Sequence, residues 1–141
     1  MDATLLLSDF AEAVNGKLYV MGGGWNVLFA GGQPVNTSLA ILVVVPWDQT
    51  NQKHALTIEL LTDDGEPVDV GGQQVAVSGD FEVGRPPGVK PGTSMNTPFV
   101  WNFNGLVLEP GGYEWKLAID GEPVTSRAFQ VLAAPGGPAN G

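Results

Sequence analysis

Apolar residues in this chain recur in short runs with a period of two, and glycine, proline or a polar cluster ends each run. Residues 54–61 (HALTIELL) show it most cleanly, with Leu56, Ile58 and Leu60 on one face and Thr57 and Glu59 on the other. Such alternation marks a strand with one buried face. A second run puts Val75, Val77, Phe81 and Val83 in phase, with Gly79 read as a bulge or close-packing point. A third places Phe99, Trp101 and Phe103 in phase. Residues 39–45 (LAILVVV) are apolar on both faces, as expected of a central strand or of one whose outer face meets a partner. No stretch long enough for a helix keeps an i, i+3, i+4, i+7 apolar stripe free of Gly or Pro, so no helix is predicted.

The turn residues connect these runs. Asn15-Gly16 predicts a hairpin joining residues 4–14 to 17–21, because both residues tolerate the positive φ of a type I′ turn. The triplet Gly22-Gly23-Gly24 then breaks the strand and seats Trp25, and residues 25–29 resume a strand that ends at Gly31-Gly32-Gln33-Pro34. Asp64-Gly-Glu-Pro-Val68 and Asp120-Gly-Glu-Pro-Val124 read as one hairpin solution used twice, the second joining residues 113–119 to 124–132. Between Gly84 and Pro98 four prolines and three glycines predict a long irregular loop. This pattern gives about eight or nine strands in a single domain over residues 1–132, with a disordered tail over 133–141 (AAPGGPANG). Short strands at such regular spacing signal a sandwich or a barrel.

Two resemblances extend this. Leu108-Glu-Pro-Gly-Gly-Tyr113 (LEPGGY) resembles the tyrosine corner, L-x-P-G-x-Y, of immunoglobulin-like Greek-key domains, and YEWKLAIDG after it is similar to their penultimate strand. The resemblance implies an all-β, immunoglobulin-like Greek-key β-sandwich in which the Tyr113 hydroxyl bonds the backbone near Glu109, with Leu108 buried beneath. Separately, DFAEAVNGKLYVMGGGW (9–25), VPW (45–47) and HALTIELLTDDGEPV (54–68) together resemble a family of small, uncharacterised bacterial all-β proteins grouped as a domain of unknown function. That resemblance implies no activity, ligand or site residue.

Charge narrows the function classes. Fifteen acidic against six basic residues give a net charge of -9, which repels phosphate backbones and anionic lipid surfaces, so neither nucleic acid nor membrane is an expected partner. The absence of cysteine removes disulfides, thiol catalysis and thiolate metal sites, and is compatible with a reducing cytoplasm. The opening MDATLLLSDFAE lacks the basic region of a signal peptide, and residues 39–45 are too short to cross a bilayer as a helix, so a cytoplasmic location is expected.

Candidate chemistry is sparse. The glycine triplet has no following Lys-Ser/Thr, no G-x-G-x-x-G spacing and no helix after it, so it reads as a strand break and not as a phosphate cradle. Asp63, Asp64, Glu66 and Asp69 cluster, as do Asp120 and Glu122, but calcium-loop spacing is absent and both turns read as solvated. His54, the sole histidine, borders a polar loop and reads as exposed and inert. No catalytic, cofactor-binding or metal-ligating residue is assigned, and no cofactor is expected. Trp25 and Trp47, at strand ends, are the candidate ligand or partner contacts, against the alternative of core or corner packing. Trp101 and Trp115 fall in phase with core positions.

The expectation is a non-catalytic protein–protein interaction or assembly module, with a protein partner or homo-oligomerisation through residues 39–45 if that strand lies outermost. The alternatives are a small-molecule or carbohydrate-binding module using Trp25, Trp47 and the Gly84–Pro98 loop, and a carboxylate-based hydrolase.

Overall fold

The computed structural model describes residues 1–133. They form strands β1 (Asp2–Val14), β2 (Lys17–Gly23), β3 (Val27–Gly31), β4 (Pro34–Val45), β5 (Lys53–Thr62), β6 (Asp69–Val70), β7 (Gln73–Gln74), β8 (Ala76–Glu82), β9 (Met95–Val107), β10 (Gly111–Ile119) and β11 (Glu122–Ala133). A 3-10 turn over Trp47–Gln49 is the single helical piece among the described residues. The expected tail over 133–141 lies outside them, apart from Ala133, which ends β11.

Two large sheets carry the fold, with strand orders β2-β1-β4-β9 and β3-β11-β10-β5-β8, and β6-β7 form a small ribbon. All pairings are antiparallel except β3 with β11, which run parallel. One core draws on both large sheets: Leu5, Leu7, Leu39, Ile41, Val43 and Val45 from the first, Leu56, Ile58, Leu60, Trp115, Leu117 and Val131 from the second. Each such fully buried aliphatic side chain contributes about 1.5–3 kcal/mol relative to leaving it exposed. An aromatic row, His54, Phe81, Phe99 and Trp101, joins the two sheets through ring centroid distances of 5.4, 5.1 and 6.2 Å.

The Asn-Gly hairpin forms as its residues dictate. Asn15 and Gly16 take φ of 52° and 72°, and Val14 pairs with Lys17 across them. The glycine triplet does not break the strand as expected: β2 runs on through Gly22 and Gly23, which faces Ser8, and the crossing to the other sheet starts at Gly24. Gly24, at φ 91°, donates its N–H to the Leu7 carbonyl at 2.8 Å. A side chain on Gly22 would overlap the Asp9 carboxylate. The requirement on these glycines is therefore steric and conformational.

Several sequence expectations are corrected. The run 39–45 lies in β4, between β1 and β9, so its backbone edges are already paired and cannot be an outermost strand. Pro98 belongs to β9, opposite Leu42, and the irregular loop stops before Met95. β9 is an edge strand, where a missing N–H can face solvent. Gly79 is neither bulged nor crowded: it pairs in register with Leu56, and a Cβ there would meet nothing within 4 Å. The two D-G-E-P-V turns differ. Asp120-Gly121 is a two-residue turn with φ of 54° and 81°, closed by Ile119 and Glu122. The earlier turn is wider, closed by Thr62 N–H donating to the Glu66 carbonyl at 2.8 Å, with only Gly65 at positive φ.

Candidate functional site

The most distinctive surface is built by the Asn15-Gly16 hairpin. β1 pairs with β4 over Asp2–Ser8 and with β2 over Ser8–Val14, so its second half forms a two-stranded arm with β2, one face of which still buries Ala11. Seven large hydrophobic residues are exposed in the described chain, and Phe10, Val14, Tyr19, Val20 and Met21 of the arm are five of them. Phe10 (47% exposed) lies directly opposite Met21 (67%). By strand alternation Tyr19 and Met21 share one face of the arm, and Leu18 and Val20 the other. Charge on this sheet is confined to the arm and the start of β1: β4 and β9 carry none, β2 carries Lys17, and β1 carries Asp2, Asp9 and Glu12, the last directly opposite Tyr19.

Trp25, the first candidate contact, is half-buried against the core, with its ring edge-on to Phe129 at 6.3 Å. Its Nε1 is shut off from water and has no hydrogen-bond partner among the described residues. It lines a cleft of about 480 Å³ with Leu7, Asn26 and Arg127, whose Nε donates to the Leu5 carbonyl at 2.9 Å.

Trp47, the second, sits in the 3-10 turn after Pro46. The Arg85 guanidinium lies 3.8 Å from its ring centroid, and Arg85 also donates to the Trp47 carbonyl at 2.6 Å and to the Thr50 hydroxyl. One face of the indole is thus covered by a cation from the loop after β8. The structure does not bring Trp25 and Trp47 together: Trp47 is not among the residues lining the cleft beside Trp25.

His54 is not the exposed, inert side chain its sequence neighbourhood suggests. It is 4% exposed, with Nδ1 at 2.7 Å from Asp120 Oδ2 and Nε2 at 2.8 Å from the Gln49 carbonyl. Burial lowers its pKa, but the bonds to Gln49 and Asp120 outweigh burial and hold it above the ordinary value. Asp120 is held below its ordinary value, first by the Ala55 N–H and then by His54. The missed signal was phase: His54 stands two residues before Leu56 and therefore on the buried face of β5. The His54–Asp120 pair ties the Gln49 turn to the Asp120-Gly121 turn.

The tyrosine of LEPGGY makes the local bond its motif implies. Tyr113 donates its hydroxyl to the Glu109 carbonyl at 2.7 Å, Leu108 is 4% exposed, and the phenol ring stacks on Phe129 at 5.6 Å. Among the described residues no three His, Cys, Asp or Glu side chains converge as metal ligands, and no helix is long and apolar enough to cross a membrane.

Comparison with known proteins adds a family and little else. No curated protein matches the chain. Among solved structures, the chain is similar to a Pseudomonas fluorescens alkylpurine DNA glycosylase, AlkC, bound to DNA containing an abasic site analogue. The identity is 15% and the TM-score 0.37, over 77% of this chain but 28% of the glycosylase, too weak a likeness to carry an argument. The resemblance of the three stretches between residues 9 and 68 extends over nearly the whole domain: matched over residues 3–132, the chain belongs to the Family of unknown function (DUF6941).

Proposed function

We propose that this chain is an immunoglobulin-like Greek-key β-sandwich that serves as a non-catalytic protein-interaction or assembly module, docking through the β1–β2 arm. The observation that carries this reading is the concentration of exposed apolar side chains on that arm, Phe10 and Met21 above all. Exposed apolar surface gathered in one place marks interaction sites, whereas single exposed hydrophobic residues are ordinary. The bond from Tyr113 to Glu109 supports the immunoglobulin-like part of the reading. Asp9 and Glu12 of β1 and Lys17 of β2 border these apolar residues, so the occupant is a protein surface that is apolar at its centre and polar at its rim.

The reading includes a cytoplasmic location and excludes nucleic acid and membranes as partners, supported by the net charge of -9 and the cysteine-free chain. The rival carbohydrate-binding reading is weaker, because the indole of Trp47 is already stacked by Arg85 and Trp25 packs on Phe129.

A photo-crosslinking side chain placed at Met21, expressed in the native host, tests the proposal against the same group at Phe29, an exposed residue outside the arm. Protein adducts at Met21 and none at Phe29 are expected. Equal or absent adducts at the two positions would overturn it.

A further inference from the structure

Asparagine followed by glycine is chemically labile, because glycine has no side chain to keep its own nitrogen from the neighbouring carboxamide. Aspartate before glycine reacts the same way, more slowly, and only when its carboxyl is protonated. Four such pairs lie in the described chain: Asn15-Gly16, Asp64-Gly65, Asn104-Gly105 and Asp120-Gly121. Asn140-Gly141 lies outside it. Three of the four are restrained by named bonds. The Gly105 N–H donates to Asn36 Oδ1 at 2.9 Å, and the Gly65 N–H to the Thr62 carbonyl at 2.9 Å, so each nitrogen is already engaged. The Asp120 carboxylate accepts from the Ala55 N–H at 2.9 Å and lies 2.7 Å from His54 Nδ1, which keeps it ionised and its carbon a poor electrophile. At Asn15-Gly16 neither the carboxamide nor the Gly16 N–H has a hydrogen-bond partner among the described residues. Both residues are exposed, and a Cβ on Gly16 would meet nothing within 4 Å.

We infer that Asn15 is a self-modification site at the tip of the arm, where the chain exchanges a side-chain amide for a carboxylate while Asn104 is spared. The Gly16 nitrogen gives up its proton to hydroxide and attacks Asn15 Cγ. The new N–Cγ bond closes a succinimide ring, the Cγ–Nδ2 bond breaks, and ammonia leaves with a proton from water. A water molecule then opens the ring at either carbonyl, giving aspartate or isoaspartate. The sum is one water consumed and one ammonia released.

The attack requires Asn15 to leave its turn conformation by rotation about its Cα–C bond. The tip permits this. β1 beyond Ser8 pairs only with β2, and β2 is an edge strand, so no third strand holds the closing pair of Val14 with Lys17. Opening at Gly105 is opposed by Asn36 and by pairing on both sides of it, Phe103 with Thr37 and Leu106 with Val35.

Either product makes the net charge of -9 one unit more negative. The isoaspartyl form also adds a backbone atom to a two-residue turn, which displaces Val14 from Lys17 and loosens the pairing that sets Met21 against Phe10. The inference does not rest on the docking role of the arm, although it alters that surface.

Peptide mapping by mass spectrometry of the folded protein, held at mildly alkaline pH, reads each asparagine separately. The peptide carrying Asn15 is expected to show the amide-to-acid mass change several times faster than the peptide carrying Asn104, with aspartyl and isoaspartyl forms both present. In denaturant the two should convert at similar rates, since neither then has a structure around it. Asn36→Ala frees the Gly105 N–H and should bring Asn104 towards the Asn15 rate in the folded chain. Conversion of Asn104 as fast as Asn15 in the folded, unmodified protein would overturn the inference. So would an Asn15 that stays intact in the folded protein while the denatured chain converts.

Discussion

Both nitrogens of the buried His54 ring face acceptors, because Asp120 Oδ2 lies 2.7 Å from Nδ1 while the Gln49 carbonyl lies 2.8 Å from Nε2. Neutral imidazole can donate from only one nitrogen, so the arrangement is complete only when the ring is protonated.

The sign of the pH dependence follows. His54 has a folded-state pKa above its ordinary value of about 6.5, so its contribution is full below that value and is lost as pH rises through the folded-state value. Asp120 acts oppositely: its contribution is full above the ordinary carboxylate value and is lost as pH falls through its lower folded-state value. Urea midpoints should therefore decline as pH rises above about 6.5, and Asp120→Asn should flatten that decline. An unchanged alkaline slope in Asp120→Asn would show that other groups set it.

Tyr113→Phe removes one hydroxyl and leaves the stack on Phe129 in place. The expected loss is about 0.5–1.5 kcal/mol of unfolding free energy, the net worth of an ordinary hydrogen bond. Leu108→Ala, at a buried position beside it, should cost about 2–5 kcal/mol. Chemical denaturation of both variants measures the two values.

Trp115 is 1% exposed and tilts against Phe103 at 5.0 Å, a contact that ties β10 to β9 across the core. Trp115→Ala should destabilise by about 3–5 kcal/mol. That is a large share of the total stability of a domain this size, and near-UV circular dichroism should weaken together with the denaturation midpoint.

Arg85→Ala uncovers Trp47 and removes two hydrogen bonds that tie the 46–50 turn to the loop after β8, leaving the turn's own bonds in place. A stability loss of about 1 kcal/mol is expected, as befits an exposed cation on a ring, with a change in tryptophan emission. Arg85→Lys should recover the charge over the ring but not the two-point bonding, and so restore only part of the change.

The sequence made legible what is local or periodic. Asn15-Gly16 and the Tyr113–Glu109 bond each depend on residues within four positions of one another, and the alternation in β5 is visible in eight. Contacts between distant segments were not visible: Asp120 is 66 positions from His54, and Arg85 is 38 from Trp47. The two D-G-E-P-V turns show why even local chemistry has limits. The same residues close a tight hairpin where Ile119 pairs with Glu122, ahead of a register shift between Leu117 and Ala118, and a wider one where Leu61 meets Pro67. Pro98 misled for a related reason, since only its place on an open edge makes it tolerable in a strand. The arm was legible as a hairpin, but its exposure was not, because alternation says which residues share a face and not whether anything covers it.

The parallel pairing of β3 with β11 has a consequence for synthesis. The strand between β3 and β10 is the last of the described chain, so Leu28 waits about a hundred residues for Val131, on the order of 5–20 s at ordinary elongation rates. Until then Phe129 is missing, and that ring is the one on which Trp25 and Tyr113 both rest. The four strands of the first sheet are complete before Glu122 is added. A nascent chain thus displays its apolar arm to neighbouring nascent chains before the second sheet can close.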